Sequence, residues 1–192
     1  MANPPLDTRL LDRAIHFAVD AHAGTERRGK GLPYIVHPME AVSIVATMTS
    51  DQELLAAAAL HDVVEDTDIT LDRIREEFGD RVAGLVALES DVLGEGRGWH
   101  LRKREAIDRL ASAPRDAKIV ALGDKLSNMR AIARDFAAEG NNLWNIFSVK
   151  DIRDHEWHYR GLADSLRELE GTVAFQEFER LIDEVFGPNQ PH

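Results

Sequence analysis

The run Leu60-His61-Asp62-Val63-Val64-Glu65-Asp66 ends an alanine-rich apolar stretch with an adjacent His-Asp pair, then adds two acidic residues one helical turn later. His61 and Asp62 offer an imidazole nitrogen and a carboxylate oxygen, a combination suited to a borderline-hard divalent metal. If the segment from Gln52 is helical, Glu65 falls four residues after His61 and Asp66 four after Asp62. Each acidic side chain then lies one turn along the face of its partner. Acidic groups at a helix C-terminus oppose the macrodipole, at a cost of a few tenths to about 1 kcal/mol each. That unfavourable placement beside a cation site argues for proton acceptors rather than solvated surface charges. The pattern suggests hydrolysis.

Two further segments extend the constellation. Pro33-Tyr34-Ile35-Val36-His37-Pro38 places His37 directly before a proline that disfavours α conformation at His37 and suits the first turn of a following helix. His37 is therefore expected at a helix mouth. Downstream, KIVALGDKLSNMR (Lys118 to Arg130) reads as helix and sets Asp124 and Asn128 at i and i+4. His37, His61, Asp62 and Asp124 together would give a two-His, two-Asp metal site, with positions left for water and substrate.

The elements that must hold these residues are almost all helical. Expected helices run over Leu6 to Ala21, Pro38 to Met48, Asp51 to Val64, Thr70 to Phe78 and Asp80 to Glu89. Trp99 to Ala111, Arg115 to Ala138, Val149 to Leu169 and Thr172 to Phe186 follow. Asp51, Thr70 and Asp80 mark helix starts, Gly94 to Gly98 is the clearest break, and Gly140-Asn141-Asn142 ends the long helix. A short extended piece is expected at Tyr34 to Val36. The fold class is all-α: one domain over 1–192 with its core at about 7–186 and the metal site between helices.

At 192 residues the chain can bury a substantial core. It has no cysteine, so any metal must be held by nitrogen and oxygen. A net charge of −11 argues against general affinity for nucleic acid, whose binding leans on cationic surface. No apolar run approaches the roughly 20 residues of a membrane span, and MANPPLDTRL carries no signal-peptide core. A soluble cytoplasmic protein acting on a small molecule is the expectation, with no membrane partner and the oligomeric state left open. Trp144, Phe147, Trp157 and Tyr159, although interleaved with basic residues, are spaced as core aromatics. His16, His100, His155, His158 and His192 read as structural or exposed, and His22 as shaping a loop.

Four blocks in register carry a family resemblance: Ala21-His22-Ala23-Gly24 through Arg27-Arg28, Pro33 to Pro38, His61 to Thr67, and Gly123 to Met129. Spanning roughly residues 10 to 135, they resemble the HD-domain phosphohydrolases, and within these the hydrolase domain of the RelA/SpoT alarmone enzymes. The resemblance implies one bound Mn2+ on His37, His61, Asp62 and Asp124, although nitrogen-oxygen ligation alone would also admit iron, zinc, cobalt or magnesium. It further implies Glu65 and Asp66 as the groups that position and deprotonate water, and Asn128 as a donor to the leaving or bridging phosphate. Arg27, Arg28 and Lys30 would bind substrate, Arg28 being best aligned to lie over a purine base and its phosphates, contacts that a guanidinium suits. The implied activity is hydrolysis of guanosine 3′,5′-bis(diphosphate), ppGpp or pppGpp, at the 3′-pyrophosphate, giving GDP or GTP and pyrophosphate. The alternatives are an HD nucleotidase or phosphatase for another nucleotide, and a non-catalytic nucleotide-binding regulatory domain. The chain departs from the alarmone pattern in two places: LVALESDVL (Leu85 to Leu93) replaces a glycine-valine-threonine-lysine stretch, and Gly123 stands where alanine is usual, a mild change. Over 192 residues a synthetase domain, and with it synthesis of the alarmone, is not expected.

Overall fold

The structure, a computed structural model, describes residues 7–27, 31–90 and 98–187. Its helices are α1 (Arg9–Ala21), α2 (Val36–Val45), α3 (Gln52–Leu60), α4 (Val63–Asp66), α5 (Leu71–Phe78), α6 (Asp80–Glu89), α7 (Trp99–Ala111), α8 (Arg115–Glu139), α9 (Ile152–Ser165) and α10 (Val173–Phe186). Short 3-10 turns cover Gly140–Ile146 and Arg167–Leu169. No strand occurs among the described residues, only an isolated bridge between Glu26 and Pro33. The fold is all-α, as its periodicity predicts.

Every residue of α3 from Leu54 to Leu60 is buried. A helix that is apolar all round must be enclosed by neighbours, and α3 is packed by α1, α2, α6 and α8. Its four consecutive alanines, Ala56 to Ala59, are each fully buried and leave room for those helices to approach closely. The start is fixed by Asp51, whose carboxylate accepts from the Glu53 N–H at 2.9 Å. Thr70 caps α5 in the same manner, accepting from Arg73 N–H at 3.3 Å.

The second organising element is α8, 25 residues long and so about 37 Å in extent. It begins after Pro114 and ends at Gly140, whose φ of +57° turns the chain and whose N–H bonds to the Phe136 carbonyl. It contacts α2, α3, α6 and α10. One continuous core runs from Ala14 to Phe186 through Leu60, Leu122, Leu126, Met129, Leu162 and Phe178.

Three sequence expectations change. The helix expected over Asp51 to Val64 is broken at His61 and Asp62, which lie between α3 and α4. The extended piece at Tyr34 to Val36 is instead a turn running into α2, so His37 stands at the helix mouth as expected but already in helical conformation. The proline after His37 disfavours but does not forbid helix there, and packing of α2 against α3 and α8 prevails. The segment Val149 to Leu169 divides into α9 and the 3-10 turn at Arg167–Leu169. Most of the break at Gly94 to Gly98 lies outside the described residues.

Gly123 is more than a mild departure. A Cβ on it would lie 2.6 Å from Val45 Cγ2 and 3.0 Å from the Ala41 carbonyl oxygen, so α8 and α2 touch at this glycine. Gly123→Ala should gain about 1 kcal/mol in helix propensity but lose about 1–3 kcal/mol to overpacking. Urea unfolding should therefore show a net loss of stability. An unchanged or raised midpoint would show that the glycine does not set this spacing.

Candidate metal centre

Three helix segments bring the metal-ligand candidates together. The first turn of α2 supplies His37, the exit of α3 supplies His61 and Asp62, and the first half of α8 supplies Asp124. His37 Nε2 lies 3.1 Å from Asp124 Oδ1 and 3.3 Å from Asp62 Oδ2. His61 Nε2 lies 3.0 Å from Asp62 Oδ2 and 3.6 Å from Asp124 Oδ1. The two Nε2 atoms are 3.2 Å apart. Each imidazole nitrogen is thus flanked by one oxygen from each carboxylate, and both rings are buried.

The donor set fits a divalent cation. Ligand atoms about 2.0–2.2 Å from a common metal sit about 3 Å from one another in octahedral or tetrahedral arrangements. His61 Nδ1 lies 2.8 Å from the Ala58 carbonyl oxygen, which can only accept, so Nδ1 carries a proton and Nε2 is the nitrogen left to give its lone pair to a cation in place of a second proton. His37, His61 and Asp62 offer atoms all within 4.8 Å of one another, and Asp124 adds its oxygen against both rings.

The electrostatics express the same crowding. Burial disfavours charge on His61, but Asp62 and Asp124 outweigh it and hold the imidazole well above its ordinary value. Burial likewise opposes ionisation of Asp62, and the two histidines hold it well below the usual carboxylate range. Asp124 is held far down against its burial, chiefly by Lys125. Lys125 ion-pairs with Asp124 Oδ2 and reaches Glu89 Oε2 at 3.1 Å. The Tyr34 hydroxyl donates to Asp62 Oδ2 at 2.7 Å; burial first, and then Asp62, pushes its pKa strongly up, which keeps it a donor.

The remaining predicted residues fall around this centre. Glu65 and Asp66 occupy the exposed turn of α4 directly after Asp62, and Asp66 N–H bonds to the Asp62 carbonyl at 2.9 Å. The backbone i to i+4 relation thus survives the break. Asn128 donates from Nδ2 to Asp124 Oδ1 at 2.5 Å and accepts at Oδ1 from Arg27 Nη2 at 3.0 Å. Arg27 has only donors, so the amide oxygen must face it and the nitrogen must face the carboxylate. Arg28 and Lys30 lie outside the described residues.

Sequence reasoning gave no role to Tyr34, Lys125, Ser127 or Lys103. Lys125 and Ser127 stand inside the Asp124–Asn128 motif, and their spacing alone does not tell which face each presents. Lys103 comes from α7; burial, and then the nearby Lys125 charge, lowers its pKa. Lys125, paired with Asp124 and Glu89, thus adjoins the ligand cluster, and Lys103 lies close enough to feel its charge. His22 is buried against the Tyr34 ring at 4.7 Å, its ring nitrogens without partners among the described residues.

The family model described as HD domain matches residues 14–151, which take in all four ligand candidates. The chain belongs to the HD domain family. It is 33% identical to the guanosine-3′,5′-bis(diphosphate) 3′-pyrophosphohydrolase MESH1 of Danio rerio, over 87% of this chain and 88% of that one. It is 42% identical to a guanosine-3′,5′-bis(diphosphate) 3′-pyrophosphohydrolase of Aquifex aeolicus, over 45% of this chain and 12% of that one. The chain spans only 12–25% of the length of the long curated relatives it matches first. The fold is shared with a solved structure of a metazoan ortholog of SpoT, at a TM-score of 0.75 and 24% identity over 97% of this chain and 99% of that one.

His61→Ala or Asp62→Ala should abolish divalent-metal binding, because each removes one of the few inward-facing donors. Metal analysis of the purified variants is the check. Full occupancy in both would sink the assignment of this centre.

Proposed function

We propose that the chain is a metal-dependent 3′-pyrophosphohydrolase of guanosine 3′,5′-bis(diphosphate), acting on ppGpp or pppGpp to give GDP or GTP and pyrophosphate. The observation that carries this reading is the convergence of His37, His61, Asp62 and Asp124 at 3.0–3.6 Å, with Glu65 and Asp66 exposed on the next turn. Similarity to the Danio rerio 3′-pyrophosphohydrolase over nearly the full length of both chains supports the substrate class. We read the whole chain as one domain working in the cytoplasm; no described helix is long and apolar enough to cross a membrane.

A divalent cation, manganese in this reading, would make water more acidic and neutralise charge on the phosphoryl oxygens. His37, His61, Asp62 and Asp124 would hold it. The hydrolysis joins the water oxygen to the phosphorus attached to the ribose 3′ oxygen and breaks the bond from that phosphorus to the 3′ oxygen, which takes up a proton as pyrophosphate leaves. Glu65 and Asp66 orient the water and accept its proton, a task that needs solvent access and a carboxylate one turn from the ligands. The Asn128 amide has two N–H donors; one holds Asp124, and the second is available to the leaving or bridging phosphate. Lys103 and Lys125 offset the charge of the diphosphate, while Arg27, Arg28 and Lys30 contact the nucleotide. Tyr34 keeps Asp62 aimed by its hydrogen bond.

The direct test is an assay of the purified protein, loaded with manganese, against guanosine tetraphosphate and a panel of other nucleotides. Release of pyrophosphate from guanosine tetraphosphate is expected; cleavage of another nucleotide alone would leave an HD hydrolase of different specificity. In the same assay Glu65→Gln and Asp66→Asn should retain metal while turnover falls roughly 10²-fold or more. Near-normal rates in both would return these residues to ordinary surface charge.

Arg28→Ala tests specificity separately. It should weaken use of guanosine tetraphosphate by about 1.5–3 kcal/mol, the range for a hydrogen bond to a charged group. Metal content and hydrolysis of a small generic phosphate ester should change much less. Equal losses on both substrates would contradict a role in nucleotide recognition.

A further inference from the structure

The second nitrogen of His37 leads away from the metal centre into a hydrogen-bonded chain. His37 Nδ1 lies 2.8 Å from Ser127 Oγ, and Ser127 Oγ lies 2.7 Å from Glu40 Oε2. Glu40 Oε1 accepts from Arg130 Nη1 at 3.2 Å. Arg130 then grips Glu177 with a two-pronged fork, Nε to Oε1 at 2.8 Å and Nη2 to Oε2 at 2.7 Å. Glu177 belongs to α10, beyond the residues matched by the HD family model.

The chain settles a choice that His37 cannot make alone. A neutral imidazole carries its proton on either nitrogen. On the inner side Asp124 Oδ1 and Asp62 Oδ2, at 3.1 and 3.3 Å from Nε2, would both accept a proton placed there. That tautomer would turn a metal ligand into a hydrogen-bond donor and fill the centre with a proton. On the outer side a serine hydroxyl is ambiguous, because it can donate or accept. Glu40 Oε2 accepts the hydrogen bond donated by the Ser127 hydroxyl, which leaves Ser127 Oγ to accept from His37 Nδ1. The proton is thereby placed on Nδ1 and the lone pair on Nε2. His61 reaches the same state through the Ala58 carbonyl, which needs no helper.

We propose that Ser127 and Glu40 are positioning residues that select the metal-binding tautomer of His37, and that the Arg130–Glu177 fork lets α10 hold Glu40 for that task. Ser127 is fully buried, so water does not replace its oxygen. It also lies three residues after Asp124, so one face of α8 carries both a ligand and the group that orients another ligand. The inference rests on His37 being a ligand, as in the reading above, but it requires no nucleotide.

The test titrates metal-free protein with Mn2+ alone, followed by electron paramagnetic resonance, and records the imidazole N–H signals of the Zn2+-loaded protein by 15N-edited NMR. In the parent, His37 should show a slowly exchanging Nδ1–H. Ser127→Ala should lose that protection and bind Mn2+ about 10- to 100-fold more weakly, the usual scale for partners of ligating histidines. Ser127→Thr, which keeps the hydroxyl, should restore both. Glu177→Gln, remote from the ligands, should weaken binding in the same direction but by less than Ser127→Ala. Parent-like affinity in Ser127→Ala overturns the proposal, as does weakened affinity with an unchanged Nδ1–H signal, which would indicate only altered packing. No change in Glu177→Gln removes α10 from the relay. A parent that binds Mn2+ tightly but does not cleave guanosine tetraphosphate defeats the hydrolase reading and leaves this inference intact; a parent that binds no metal defeats both.

Discussion

Two imidazole nitrogens and two carboxylate oxygens, held within 3.0–3.6 Å of one another across the His-Asp pairs, are the constraint around which this molecule is organised. Electron-rich atoms so close in a low-dielectric interior repel unless positive charge lies among them. The surrounding groups answer that repulsion from outside. Tyr34 donates to Asp62, Asn128 donates to Asp124, and Lys125 ion-pairs with the other Asp124 oxygen. Backbone and side-chain acceptors draw the imidazole protons outward. What remains at the centre is a place for a cation.

Rigid helices are what keep such a cluster closed. The buried alanines of α3 let its neighbours come near enough that a residue at its exit meets residues on α2 and α8. Gly123 lets α8 lie directly on the Ala41 backbone, one residue before Asp124. A bulkier seam would move ligand atoms by tenths of an ångström, and interiors packed to crystal-like density pass such shifts on. The seam between α2 and α8 therefore helps to set where His37 and Asp124 stand relative to each other.

The helical pattern, the caps at Asp51 and Thr70 and the limits of α6 and α7 could be read from local periodicity and end signals. So could the four ligand candidates and the acidic pair after them, because side-chain chemistry and motif register both mark them. The break at His61 and Asp62 escaped, since an apolar helical pattern runs straight through it and both residues keep right-handed helical φ and ψ. His37 stands at the mouth of α2 as expected, but in helical conformation, the local preference of a residue before proline being overridden by the packing of α2. Tyr34 and Ser127 lie inside the motif blocks and Lys103 outside them, but in none of the three do residue type and spacing tell which group the side chain will meet.

By itself the sequence determined which atoms were available: nitrogen and oxygen ligands without thiolates, acidic groups one turn beyond them, and amphipathic helices to carry both. Those properties reside in residue type and short-range spacing, which the chain carries whether folded or not. Only the tertiary structure decided that α2, α3 and α8 meet at one point. It also decided that the outer nitrogen of His37 is answered by a serine 90 residues away, and that α10 reaches that network through Arg130 and Glu177. Contacts between residues so far apart in sequence follow from how whole helix faces pack, and no local pattern encodes which side chain will stand opposite which.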